Sequence, residues 1–382
     1  MDQTSPLPHR LPRDHGLPAQ RAKGAGLSLV NTRFRLAQPA EAAPQAWQEG
    51  LDALVAWLGI DAEFVPAARP RRLPRLADWA MVPAAGAPVF APWLGWSPVA
   101  FQHGGLAALP AAGFVASYGL DHARAAAPGQ GGIDLLLMSP HPSACAAEEA
   151  GGVPVPRAGV MKAMIRAARD EGRGKLAIIL HARQRNAVAG QLLAAGKRLT
   201  REGLALDILT IEEALPLLIA PRAPWDAIIA MPDLRGTVFT LLAATGGLAG
   251  PWPMLWFASD PSGGRALRLV TAETPGEGAS RLALDAPVLV QALALALHAG
   301  GAGSAARRLH EGWARLRDSG VTTPGRGGGD APYASEVGDS AFIAMICRDA
   351  AVSKRPQPTW RALENAKMSI SRTPNLHLRV VS

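Results

Sequence analysis

Between residues 132 and 245 short apolar runs alternate with helical segments, and this alternation narrows the fold more than any other feature of the chain. GIDLLLMSP, KLAIILH, LALDILT and WDAIIA are continuous apolar stretches of strand length. They are separated by VMKAMIRAARDEG, AVAGQLLAAGKRLTREG and IEEALPLLIA, which read as helices. Strands that alternate with helices of 10–15 residues build βαβ units, so the expected class is α/β with a largely parallel sheet. Gly172 follows the first of these helices and is placed to cap it. AWQEGLDALVAWLG adds an amphipathic helix with Trp47, Leu51, Leu54, Val55 and Leu58 on one face. LSLVN at 27–31 is expected as the first strand, DAEFVPA and DWAMVPAAG as further strands, and APVLVQALALALHAG and SAARRLHEGWARLRDSG as two late helices. TWRALENAKMSI is expected to form a terminal helix.

Composition bears on partners. The 382 residues carry a net charge of +8. Residues 1–26 hold +2 of it and residues 353–382 hold +5, so the body is close to neutral. The basic run RPRRLPR at 69–75 is interrupted by proline and reads as a solvated loop, so no nucleic-acid partner is expected. Cys145 and Cys347 are the only cysteines, too few and too far apart for a disulfide framework or a zinc site, and a cytoplasmic setting is expected. No apolar run reaches about 18 residues and the start lacks a hydrophobic core segment, so neither a membrane partner nor a secretory signal is expected.

The segment order from VMKAMIRAARDEGRGKLAIILHARQRN through IEEALPLL to PWDAIIAMPDLRGTVFTLLAATGGLAG resembles the middle of the isocitrate/isopropylmalate dehydrogenase family. APVLVQALALALHAGGAGSAARRLHEGWARLRDSGVTTPGRGG is similar to that family's closing helix pair. The resemblance covers residues 27–350. It implies a two-domain isocitrate/isopropylmalate dehydrogenase-like fold: a large domain of 27–106 plus 257–350 and a small, dimerisation domain of 107–256. A Pro-rich basic tail, 1–26, expected to be disordered, and a basic extension, 351–382, flank them.

The same resemblance implies chemistry. Such enzymes oxidise a 2-hydroxy acid with NAD or NADP, usually with decarboxylation. Mg²⁺ or Mn²⁺ on aspartates polarises the substrate oxygens, arginines clamp its carboxylates, and a Tyr and a Lys move protons. This chain departs at each place. Against the family's NLFGDILSD, the metal aspartates fall at Thr237 and Leu241, and the third falls at Ile211, beside Glu212. The helix opened at about Gly236 shows no charge in its first two turns. The arginine positions read Pro110, Leu120 and Ser139; the tyrosine falls near Ala146. In ILHARQRNAV the lysine position is Ala182 and its asparagine is Gln184, while His181 matches the family's histidine and is expected to be structural. Arg183 and Arg185 are expected to face solvent. In the cofactor loop Thr271 stands at the histidine, Gly276 and Gly278 suggest a related loop, and Asp285 stands near the asparagine.

Hydroxyl and isobutyl groups cannot replace carboxylates around a hard cation. The expectation is therefore a member of this fold that has lost metal-dependent 2-hydroxy acid oxidation and serves as a binding or assembly subunit. It would act as a homodimer or a hetero-oligomer with a relative. No catalytic set, metal site or cofactor is assigned, and Mg²⁺ or Mn²⁺ is not expected. The alternative is a divergent NAD(P)-dependent oxidoreductase acting on a less anionic substrate, with Glu212, Asp233 or Thr237 reused. A carboxylate cluster of Glu212, Glu213 and Asp233 is conceivable if their turns adjoin. HPSAC at 141–145 brings His, Ser and Cys together, which reads as a Pro-flanked loop. No GxSxG, HExxH, CxxC or phosphate-loop motif occurs.

Overall fold

The computed structural model describes residues 34–38, 43–60, 62–66, 88–97, 112–121, 133–146, 154–194, 204–220, 223–248, 250–274, 279–326, 334–348 and 359–364. The segments 1–26, 27–31, 69–75 and DWAMVPAAG lie outside them, as does most of 351–382.

Eleven described strands share one sheet. They are β1 (Phe34–Gln38), β2 (Ala62–Pro66), β3 (Val89–Trp96), β4 (Phe114–Asp121) and β5 (Ile133–Pro140). After the two-residue strands β6 (Cys145–Ala146) and β7 (Val155–Pro156) come β8 (Lys175–Leu180), β9 (Ala205–Thr210), β10 (Ala227–Ala230), β11 (Trp252–Ser259), β12 (Arg265–Glu273) and β13 (Ala279–Arg281). The spatial order is β2-β1-β3-β12-β11-β4-β5-β10-β8-β9, with β13 on β3. Both wings are parallel apart from short β13, which runs antiparallel to β3, whereas β12, β11, β4 and β5 are joined by antiparallel ladders. The fold is thus mixed α/β with a large, mostly parallel sheet. The 256/257 position lies inside β11, whose ladder to β4 makes the sheet continuous there.

Each of the four apolar runs between 132 and 245 is a strand, β5, β8, β9 or β10, and each is followed by a turn into helix or a helical turn. α1 (Gln45–Leu58) buries Trp47, Leu51, Leu54 and Leu58 on one stripe, the 3.6-residue period that the sequence carries. α2 (Ala158–Asp170) ends where Gly172 takes φ 67°, and the Arg173 N–H returns to the Ala168 carbonyl at 3.0 Å. A glycine is needed there because only it adopts this left-handed conformation without steric cost. Two further helices, α3 (Arg185–Ala194) and α4 (Ile211–Leu218), follow β8 and β9, and α5 (Arg235–Gly246) follows β10.

α6 (Ala286–Ala299) is buried all round from Ala286 to Leu297. It packs on β11, β12 and β3 and is covered by α7 (Gly303–Asp318), α8 (Asp339–Ile346) and α1. A helix apolar on every side belongs in the middle of a core, and this one anchors the half of the sheet opposite β8–β10. Two-residue β14 (Val321–Thr322) pairs with β15 (Ser335–Glu336), and α9 (Arg361–Glu364) returns the chain to the sheet. Trp360, fully buried just before α9, packs 4.9 Å from Trp313 and 4.6 Å from His310.

Candidate functional site

β5, β10 and β8 are neighbours and parallel, so the chain leaves all three at one edge of the sheet. His141 follows β5, the Pro232-Asp233 turn follows β10 and His181 follows β8. Crevices at the carboxyl ends of parallel strands are where α/β sheets hold ligands, because several turns converge there. The structure joins two of these residues. His181 Nε2 lies 2.5 Å from Asp233 Oδ2, and both side chains remain 37–44% exposed. His181 is held from behind: its backbone N–H donates to Gln184 Oε1 at 2.9 Å. The buried Gln184 amide donates in turn to the Pro154 carbonyl at 2.8 Å. Gln184 therefore fixes the turn that presents the imidazole. The histidine read as structural is a half-exposed group on a rigid support.

HPSAC forms a short 3₁₀ turn after β5. His141 is buried, and its Nδ1 accepts the Ser143 N–H at 3.2 Å while lying 2.6 Å from Ser143 Oγ. A nitrogen that accepts a backbone N–H carries no proton, so the serine hydroxyl donates to it. This is a local cap. Burial, reinforced by the Asp233 charge and opposed by Arg157, pushes the Cys145 thiol up to about 12. A thiol so shifted stays protonated at neutral pH and is a poor nucleophile.

The other expected positions scatter. Thr237 is exposed on α5, Leu241 is half-buried and Ile211 opens α4. Glu212 is exposed in the first turn of α4, just past β9 and two strands from β10, so it stands about 10 Å from the Asp233 turn. Glu213 faces its own helix start. It accepts the Thr210 N–H at 2.8 Å and Arg185 Nη1 at 3.0 Å, and these bonds hold its carboxyl below the usual range. Arg185 is thus a bridge between α3 and α4; its second guanidinium nitrogen donates to the Ile208 carbonyl at 3.0 Å. Arg183 is exposed. Among the described residues no three His, Cys, Asp or Glu side chains are grouped to hold a metal ion. The conceived cluster of Glu212, Glu213 and Asp233 does not form, since β8 separates the two turns and Glu213 is used as a cap.

The cofactor-loop positions fall in three places. Thr271 is fully buried in β12, its hydroxyl accepting the Trp256 indole N–H at 2.8 Å. A nucleotide could reach it only through the core. Asp285 caps α6, accepting the Val288 N–H at 2.8 Å. Gly276 and Gly278 lie outside the described residues. Of the remaining family positions, Leu120 and Ser139 are buried, the latter donating to the Ala230 carbonyl at 2.8 Å, and Ala146 is exposed. Pro110 lies outside the described residues.

Sequence reasoning missed one pair outright. α5 begins at Arg235, not Gly236, so its first turn does carry a charge. That guanidinium is completely buried, with Nε 2.8 Å and Nη2 2.6 Å from the two oxygens of Glu273, and Nη2 2.7 Å from Ser117 Oγ. The available signal was a glutamate closing the apolar strand RLVTAE, a position that demands a buried partner.

No protein-family model matches the sequence, and no characterised protein matches it by sequence. Among solved structures, isocitrate dehydrogenase from Methylococcus capsulatus is similar at 13% identity and TM-score 0.52, over 82% of this chain and 98% of that one. The TT0538 protein from Thermus thermophilus is similar at the same identity and TM-score, over 82% of this chain and 67% of that one. The likeness is one of architecture: the chain has an isocitrate dehydrogenase-like fold.

Proposed function

We propose that this protein is a non-catalytic member of that architecture, acting as a binding or assembly subunit through α4 and α5. One observation carries the reading. Leu215, Leu217 and Ile219 stand exposed at 37%, 40% and 57% on and just beyond α4. α4 touches α5, where the Thr245 hydroxyl lies 3.2 Å from the Leu218 carbonyl. The outer face of α5 carries Thr237, Thr240 and Ala244, small groups that let a second surface approach closely. Two adjoining helices with exposed apolar and small side chains suit a contact with a second protein surface. The residues at the crevice agree: Asp233 is engaged by His181, and Thr237, Leu241 and Ile211 offer no anionic oxygen for a divalent ion.

The half-exposed His181–Asp233 pair favours a second reading, an NAD(P)-dependent oxidoreductase on a less anionic substrate, since an accessible imidazole beside a carboxylate can move a proton. Two measurements on the full chain separate them. Light scattering should show a dimer or larger assembly that L217E/I219E converts to monomer. Melting with NAD, NADP or Mn²⁺ should move by less than about 1 °C. Stabilisation by several degrees, which saturating ligand produces by mass action, would overturn the non-catalytic reading, and an unchanged mass for the variant would overturn the interface.

A further inference from the structure

A cavity of about 510 Å³ opens at the amino ends of β5, β8 and β10. It lies one strand length, about 20 Å, from the His181–Asp233 pair at the carboxyl ends, so it shares no residue with that crevice. Its volume falls within the range of small-molecule sites. Leu135, Trp225, Leu242 and Leu248 supply the apolar part of its lining, beside a polar part from Asp134, Lys175, Asp226 and Arg361.

The charges on its rim decide what it can take. Asp134 and Asp226 both line it, and both are spent. Asp134 Oδ1 accepts Arg173 Nη1 at 2.7 Å and its Oδ2 accepts the Arg361 backbone N–H at 2.7 Å. Asp226 Oδ2 accepts the Gly174 and Lys175 N–H groups at 3.0 and 3.1 Å, and its Oδ1 lies 2.5 Å from Arg361 Nη1. Arg361 lines it too, and because each of these carboxylate oxygens already accepts a protein donor, a metal ion or an amine would have to compete with those donors here. Lys175 is the contrast: it lines the cavity, is exposed, and pairs with no carboxylate among the described residues. An unspent ammonium beside a patch of leucine and tryptophan selects for one acidic group on a body that is apolar at its far end.

We infer that this cavity binds a small organic carboxylate with an aliphatic or aromatic body, its acid on Lys175 and its body against Leu135, Leu242 and Leu248. The inference is independent of how the opposite edge of the sheet functions. Octanoate is a suitable probe, titrated into the full-length protein by calorimetry, with octanol as the uncharged comparison. Saturable octanoate binding is expected, with octanol at least about ten-fold weaker, the loss of one charge-assisted contact. K175E should weaken octanoate by a similar factor and K175R should leave it nearly unchanged. L242W, which fills the chamber, should abolish binding while its unfolding transition remains cooperative. Should L242W fail to fold, the two Lys175 variants decide alone, because that side chain is exposed. Absence of saturable octanoate binding, equal affinity for octanol, or indifference to K175E would each overturn the assignment.

Discussion

Two side-chain contacts start two residues apart on one turn and end in opposite environments. Asp233 points to the crevice and meets His181, both partly in water; Arg235 points inward and meets Glu273, both fully buried. The distances are alike, 2.5 and 2.6 Å, so geometry does not distinguish them. Solvent does. In water the Coulomb gain of a pair is offset by lost hydration and side-chain freedom, whereas in the core each charge depends on its partner because nothing else can solvate it. The turn after β10 therefore has two jobs: one residue holds His181 at the rim of the crevice, and the next charge pins α5 to β12 and β4.

The largest effect follows from the buried pair. Replacing either partner alone, as R235M or E273L, strands a charge in the core and should cost about 3–5 kcal/mol, read as a lower denaturation midpoint in urea. The double variant R235M/E273L removes both charges and should recover most of that loss. If the double variant were as unstable as the singles, the pair would be holding the fold together by its attraction, and the contrast drawn from burial would fail.

The exposed pair should behave in the opposite way. D233A is expected to shift stability by no more than about 1 kcal/mol. A loss comparable to that of R235M, measured by the same urea titration, would mean that His181 and Asp233 are coupled to the core through Gln184 more tightly than their exposure implies.

The difference between these pairs also marks how far the sequence could be read. Four apolar runs bounded by turn residues announce β5, β8, β9 and β10; β5, β8 and β10 are covered on both faces and write their burial continuously along the chain, while β9 at the sheet edge is half exposed. The middle of the sheet is less legible. Pro92 and Gly95 interrupt β3, Gly119 interrupts β4 and Pro253 interrupts β11, masking their strand character. Gly119 is there because a Cβ would come within 2.8 Å of the Trp252 ring, a cause that no local pattern records. The antiparallel ladders through β11 and β4 went unforeseen for the same reason. At the site, His181 and Asp233 are each recognisable as strand-end residues. Their partnership spans 52 positions and depends on the β8–β10 register, which only the folded chain supplies. Arg235 was hidden by its chemistry, since an arginine in a turn is ordinarily a solvated one.

The smallest expected effect comes from a third arrangement, two like charges at one helix start. Asp285 caps α6 through the Val288 N–H, and Asp339 at the start of α8 accepts the Ala286 N–H at 2.7 Å. Burial raises the Asp339 carboxyl above its usual range; the Asp285 charge adds to the rise and the Ala286 N–H opposes it. A carboxyl whose folded-state affinity for protons exceeds the unfolded one favours folding below the unfolded value, about 3.9, and that advantage is lost as pH rises through the folded value. At pH 7 the ionised group therefore bears its full penalty. D339N keeps an oxygen for the Ala286 N–H and removes the charge, so it should gain about 0.5 kcal/mol at pH 7 and nothing near pH 3.5. Urea midpoints of both proteins at the two pH values measure this. A variant less stable at pH 7 would show that attraction between Asp339 and the positive end of α6 outweighs desolvation, and that a half-buried carboxylate at a helix start is governed by the dipole rather than by its distance from water.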